Sequence, residues 1–237
     1  MSAVSAGPTA LDLLTRGSIT VKGRMPWSSN ATFLVELILE DASALGVYKP
    51  QRGERPLWDF PAGLFRREIA AYHLSEALGW GLVPPTVERD GPFGEGSLQR
   101  FVPADFEQHY FTLIERAEHH DRLRQLCAFD LLANNADRKG GHCLLGQDGV
   151  IHAIDNALCF SAEPKLRTVI WEFAGEPIPA DILEDVRRVV EVGPPPPLAA
   201  LLAPAEQEAL LARARALVSD GRFPVQSGGR DYPWPLV

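Results

Sequence analysis

Short apolar strand-like runs dominate the first hundred residues, interrupted by one long stretch at helical spacing, and apolar positions recur at helical spacing over most of the rest. Residues 18–23 (SITVKG), 31–39 (ATFLVELIL) and 44–50 (ALGVYKP) read as strands; the loop 23–30 joins the first two, and Pro50 stops the third. A polar loop, QRGERPLWDFPAG, leads into 64–79, where Leu64, Ile69, Tyr72 and Leu78 mark one helix face and Gly79 a C-terminal stop. Residues 82–89 and 96–103 read as two further strands around a Gly-rich turn, and 8–17 as a short opening helix. Beyond Pro103 the pattern predicts helices over 105–116, 118–133, 179–192 and 204–221. A hairpin of 142–146 and 149–155 lies among them, and the tail QSGGRDYPWPLV reads as a surface arm. There is no internal repeat.

A strand-rich first part followed by a helix-rich second part predicts an α+β protein of two lobes. Residues 1–101 form an antiparallel-sheet N-lobe with one long helix, and residues 102–237 a mainly helical C-lobe. The hinge falls near Gln99–Ala104, and a cleft between lobes is a common ligand position.

Composition narrows the partners. The 237 residues carry a formal net charge of −8, which argues against nucleic acid and anionic membrane surfaces as partners, both being polyanionic, although a local basic patch is compatible with it. Cys127, Cys143 and Cys159, 16 residues apart, are too few and too evenly spread for a disulfide framework. With no signal-peptide pattern in the first residues and no apolar run approaching the ~20 residues that span a bilayer, the expectation is a soluble, cytoplasmic protein without stable membrane association.

The candidate chemistry lies in four polar features. Lys49 sits near the end of the third strand, and Glu68 follows 19 residues later on the helix. Asp137 opens DRKGGH directly after the apolar helix that ends in LLANN, and Asp155 ends the later hairpin. Each has a commonplace explanation: a solvated strand end, a decorated helix face, a polar turn, a hairpin-end aspartate capping backbone N–H groups. Their joint order matches what phosphoryl transfer from ATP requires, namely a lysine on the phosphates, a glutamate holding it, an aspartate orienting the acceptor hydroxyl and an aspartate on Mg²⁺.

Through VYKP, FRREIAAY, NNADRKGGHCLL and IHAID, the chain from about Ser18 to Trp171 resembles the phosphatidylinositol 3/4-kinase-like branch of the kinase superfamily, and within it small actinobacterial members. The resemblance implies a two-lobed kinase-like fold using ATP with Mg²⁺ or Mn²⁺. It makes Asp137 and Lys139 the catalytic pair, Lys49 and Glu68 the phosphate-contacting pair, and His142 and Asp155 the metal ligands. Ser28 and Ser29 would offer hydroxyls to the phosphates, and Gln99, at the hinge, a further nucleotide contact. Two positions depart from the family pattern: His142 stands where an asparagine belongs, and Asp155-Asn156-Ala157 replaces Asp-Phe-Gly. An imidazole nitrogen is a softer ligand than an amide oxygen, so His142 would favour Mn²⁺ or contact phosphate directly. A zinc site built from His142, Cys143, His152 and Asp155 is disfavoured, because residues 142 and 143 point to opposite faces of a strand.

The acidic net charge, with neither a basic amphipathic helix nor a lipid anchor, points away from a lipid acceptor and toward a protein or small-molecule hydroxyl. The reading from another class is a nucleotide-binding pseudokinase acting as a regulatory or scaffolding module, which the two departures favour.

Overall fold

The computed structural model describes residues 7–26, 30–226 and 228–237. The chain divides into two compact units, the first of residues 1–69 and 84–101, the second of residues 70–83 and 102–237.

The first unit is a five-stranded antiparallel sheet in the order β1-β2-β3-β5-β4, from β1 (Ser18–Arg24), β2 (Phe33–Leu39), β3 (Ala42–Pro50), β4 (Thr86–Gly91) and β5 (Gly94–Arg100). Alternation puts Val35, Leu37, Tyr48 and Leu98 on one face, where they pack with Leu13 and Leu14 of the short helix α1 (Ala10–Arg16). Strands β3 and β5 approach closely at the end that carries Lys49. A Cβ on Gly96 would lie 2.3 Å from the Lys49 carbonyl oxygen, so only glycine fits there.

The second helix, α2 (Leu64–Leu78), begins in this unit. Its first turn is capped from the preceding loop, where the Glu54 carboxylate accepts from the N–H groups of Gly63 at 2.9 Å and Phe65 at 2.8 Å. A carboxylate at a helix N-terminus satisfies orphan donors and complements the helix dipole. The later residues of α2 belong elsewhere: Ala70, Ala71, Leu74 and Leu78 bury themselves in the core of the second unit, so residues 70–83 group with 102–237 rather than with the strands.

The second unit holds α3 (Tyr110–Leu113), α4 (His120–Ala133), the hairpin of β6 (Cys143–Leu145) and β7 (Ile151–Ala153), α5 (Ala180–Val192), α6 (Pro196–Ala199) and α7 (Pro204–Asp220). Its core runs through Leu126, Phe129, Phe160, Ile182, Val186 and Leu210. Arg122 of α4 gathers the carbonyls of Trp80, Gly81 and Ile151, fixing the hairpin against the segment after α2. The tail is not a free arm. Pro233 is buried, the Asp231 carbonyl accepts from Thr168 N–H at 3.1 Å, and the Leu236 carbonyl accepts from Gly140 N–H at 2.7 Å.

Gly140 is correspondingly confined: a Cβ there would lie 3.0 and 3.1 Å from the Phe111 ring and 3.3 Å from the Leu236 oxygen. Gly140→Ala is expected to lower stability by about 1–3 kcal/mol through overpacking. Gly141→Ala, whose Cβ meets only Val237 Cγ1 at 3.9 Å, should be nearly neutral. Thermal melts of the two variants side by side check this, and equal melting temperatures would refute it.

Candidate active site

In the first unit, Lys49 on β3 and Glu68 on α2 form a short, partly buried ion pair. The lysine side chain is 22% exposed and the glutamate side chain 2%, so the cation reaches solvent from a carboxylate that does not. Gln99 is buried on β5 and its amide donates to Thr86 Oγ1 at 2.9 Å, tying β5 to β4. That bond engages its amide nitrogen and leaves the side-chain carbonyl for any other contact. Ser28 and Ser29 lie outside the described residues.

In the second unit the geometry starts from the end of α4. Asn134 takes a left-handed conformation (φ 52°, ψ 51°), which asparagine tolerates better than most residues, and ends the helix. Its amide donates to the carbonyls of Ser161 and Glu163, and its Oδ1 accepts from Lys165 N–H at 2.9 Å. Asn135 is fully buried. It donates to Asp130 Oδ1 and accepts the Asp137 N–H at 2.9 Å. Both asparagines therefore shape the loop from within.

Arg138 is the anchor. Fully buried, it donates to both oxygens of Asp130 (2.9–3.1 Å), to Asn156 Oδ1 at 2.6 Å and to the Ile154 carbonyl at 2.8 Å. With the Asn135 amide already there, Thr168 Oγ1 adds a third group on the Asp130 carboxylate. One guanidinium thus ties α4, the 134–142 loop and the end of the hairpin together. Burial pushes the Asp130 carboxyl up, and the Arg138 charge with the surrounding donors opposes that shift. Asp137 and Asp155 are each set by this network, one between Asn135 and Arg138, the other between Ile154 and Asn156. Asp155 is held at φ 55°, a left-handed conformation that aspartate, like asparagine, tolerates better than most residues.

The exposed side of the loop carries the polar groups. Lys139 Nζ lies 3.3 Å from Asp137 Oδ2, and His142 Nε2 lies 3.4 Å from Asp155 Oδ2. Burial raises the Asp137 carboxyl above the usual carboxylate range; Lys139 opposes the shift and the Asp155 charge adds to it. His142 Nδ1 sits 3.0 Å from the Asp137 carbonyl oxygen and 3.4 Å from Lys139 N–H. The shorter contact requires Nδ1 to be the donor, and in a neutral ring that turns the Nε2 lone pair toward Asp155. A backbone carbonyl fixing the tautomer in this way is the usual support of a metal-binding imidazole.

Two ligand atoms about 2.1 Å from one ion lie roughly 3.0–3.4 Å apart, so the His142–Asp155 spacing fits a shared divalent cation. Among the described residues no group of three or more His, Cys, Asp or Glu side chains converges as a metal site. Two protein ligands suit a Mg²⁺-type ion completed by phosphate oxygens and water. The four-residue zinc alternative finds no support: Cys143 is fully buried with its thiol pushed up to about 12 by burial, and His152 pairs with Asp148 at 3.3 Å. All three cysteines are buried and unpaired with one another.

The site residues that sequence reasoning did not reach are Asp130, Asn156 and Thr168. A signal existed for Asp130, a lone charge within CAFDLLA on the apolar face of a helix, because a charge there needs a buried partner.

The antiparallel sheet with its long helix, and the helical unit with a short hairpin after the polar loop, define a kinase-like α+β fold. That fold is shared with the crystal structure of a Helicobacter pylori proinflammatory kinase, CtkA, at TM-score 0.50 and 13% identity, covering 88% of this chain and 94% of that one. It is shared too with the structure of hydra Fam20 with sugar, at TM-score 0.54 and 18% identity, covering 89% and 86%. No protein-family model matches the chain. Over 260 aligned residues it is 43% identical to protein Rv2133c of Mycobacterium tuberculosis, covering 94% of each sequence, and it belongs to the family of that protein. Among the described residues no helix is long and apolar enough to cross a membrane.

Proposed function

We propose that this chain is an ATP-dependent phosphotransferase of the phosphatidylinositol 3/4-kinase-like type, acting on the hydroxyl of a soluble small molecule or protein in the cytoplasm. The observation that carries the proposal is the Lys49–Glu68 pair, a solvent-reaching cation held by a buried carboxylate on the neighbouring helix. In phosphoryl transfer that arrangement contacts nucleotide phosphates. The spacing of His142 and Asp155 supports a divalent cation, which would neutralise charge on the phosphates when bound. Asp137, held beside Lys139, is suited to orient the acceptor hydroxyl and take its proton, and a carboxyl raised by burial is a better base than an ordinary one. The acceptor oxygen forms the new bond to the γ-phosphorus as the β–γ bridging bond breaks, and the electron pair leaves on ADP. Lys139 would steady the transferred group.

Lys49→Ala is expected to weaken ATP binding at least tenfold and to abolish transfer; because it also takes Lys49 from the buried Glu68 carboxylate it lowers the melting temperature, so binding is measured well below the variant's own transition. Calorimetric ATP titration in Mg²⁺ and in Mn²⁺, beside ADP release, checks this; unchanged affinity and turnover would remove the assignment. ATP binding by the wild-type protein without turnover in either metal would identify the chain as a nucleotide-binding pseudokinase, the reading that His142 and the Asp155-Asn156-Ala157 sequence favour.

A further inference from the structure

The second unit carries a pocket of about 400 Å³ lined by Lys165, Arg167 and Arg230 and by one carboxylate residue, Asp231, with Trp171 and short apolar side chains completing the wall. Three cations around one cavity stand out in a chain whose net charge is −8. The volume suits a small metabolite and is far too small for a folded partner. Guanidinium groups match phosphate oxygens in a two-point geometry, and a lysine adds a point charge. The Trp171 indole N–H already donates to the Asp231 carbonyl at 3.2 Å, so the ring offers a ligand its apolar face, suited to the C–H face of a polyol ring. The Asp231 carboxylate is occupied in part by holding the tail, accepting Gly228 N–H at 3.1 Å.

The wall of this pocket is fastened to the loop that carries Asp137. Lys165 N–H donates to Asn134 Oδ1. Arg167 N–H donates to the Asn135 carbonyl at 2.8 Å, and the Arg167 carbonyl accepts from Arg138 N–H at 3.0 Å. Arg167 is thus paired to the backbone on both sides of Asp137, and Lys165 to the Asn134 side chain just before it. Val169 N–H, bonded to the Arg138 carbonyl at 3.1 Å, continues the pairing.

We infer that this pocket is the acceptor subsite of the proposed transferase, and that the acceptor is a small polyol bearing a phosphate, a sugar phosphate in chemical class. The inference rests on the phosphotransferase reading for the word acceptor, but the anion site stands on its own geometry. A phosphate held by Lys165, Arg167 and Arg230 anchors one end of the molecule, and the ring lies on Trp171. A free hydroxyl is then presented toward the loop of Asp137.

The test titrates the full chain with glucose 6-phosphate, inorganic phosphate and neutral glucose, using wild type and the Arg167→Gln and Lys165→Gln variants. The expected result is saturable binding of glucose 6-phosphate, at least tenfold weaker in Arg167→Gln, with glucose not bound and thermal melting unchanged by either substitution. Equal binding of glucose, or glucose 6-phosphate affinity unchanged in both variants, overturns the proposal. Sedimentation with phosphatidylinositol 4-phosphate vesicles, uncompeted by glucose 6-phosphate, overturns the soluble source and assigns the phosphate to a lipid headgroup. The two readings fail separately. Arg167-dependent anion binding in a chain that does not bind ATP keeps the anion site and removes the kinase, whereas Lys49-dependent ATP turnover without Arg167-dependent anion binding does the reverse.

Discussion

Arg138→Met should destabilise the protein by about 3–5 kcal/mol, the range for removing one partner of a buried ion pair. The substitution leaves the Asp130 carboxylate fully buried and acceptor-only, with just the Asn135 amide and Thr168 hydroxyl on it. It also removes the Arg138 hydrogen bonds to the Ile154 carbonyl and the Asn156 amide oxygen. Methionine has a similar reach and fills much of the volume, so cavity formation is the smaller part of the loss. For a chain of this size the melting temperature should fall by roughly 6–20 °C. Denaturant and thermal unfolding measure it. A change below about 1 kcal/mol would show that the guanidinium does not hold the loop and the hairpin together. Surviving protein should also lose metal-dependent nucleotide binding, because Asp155 is placed by the neighbours that Arg138 grips.

The fold was legible wherever apolar periodicity was long. Residues 18–23, 44–50, 64–79 and 118–133 are strands and helices within a residue or two, because residue type and apolar spacing agree along each of them. It was less legible where turn chemistry overrode the pattern. The strand expected over 82–89 begins only at Thr86, since Pro84 and Pro85 have no N–H for a ladder. Its partner is shifted to Gly94–Arg100 for the same hairpin. The helix expected over 105–116 shrinks to Tyr110–Leu113, because Asp105 closes a turn of its own: its side chain accepts Glu107 N–H, and its carbonyl accepts Gln108 N–H. The proline run that follows the helix expected over 179–192 starts a short helix of its own, α6, where proline fits the first positions without loss of a donor. The tail, expected to be a surface arm, is held instead by the Gly140 and Thr168 backbone, which no periodicity announces.

The site divides in the same way. Lys49, Glu68, Asp137 and Asp155 were nameable from order and spacing, and Lys139 and His142 only through the family resemblance; the structure pairs them as Lys49–Glu68, Asp137–Lys139 and His142–Asp155. What spacing alone could not convey is that Arg138, one residue from Asp137, points inward to a carboxylate eight residues earlier in the helix. Buried polar networks are long-range in sequence, and a one-dimensional pattern records only that a charge is out of place.

The two aspartates should fail in different ways. Asp137→Asn keeps size and hydrogen-bonding shape but cannot accept a proton, so the variant is expected to bind nucleotide and metal normally and to turn over about 10²–10⁴-fold more slowly. Asp155→Asn removes the anionic half of the His142–Asp155 pair, so it should lose the metal-dependent increment in nucleotide affinity before any question of chemistry arises. His142→Asn exchanges a nitrogen ligand for an amide oxygen, and the preference for Mn²⁺ over Mg²⁺ should fall. The measurement is ATP titration with each metal and with none, beside single-turnover transfer, for the three variants and the wild type. An identical metal-binding defect in Asp137→Asn and Asp155→Asn would merge roles that the geometry separates. An unaltered Mn²⁺/Mg²⁺ ratio in His142→Asn would take the imidazole out of the metal site and leave it as the group that steadies the Asp137 backbone.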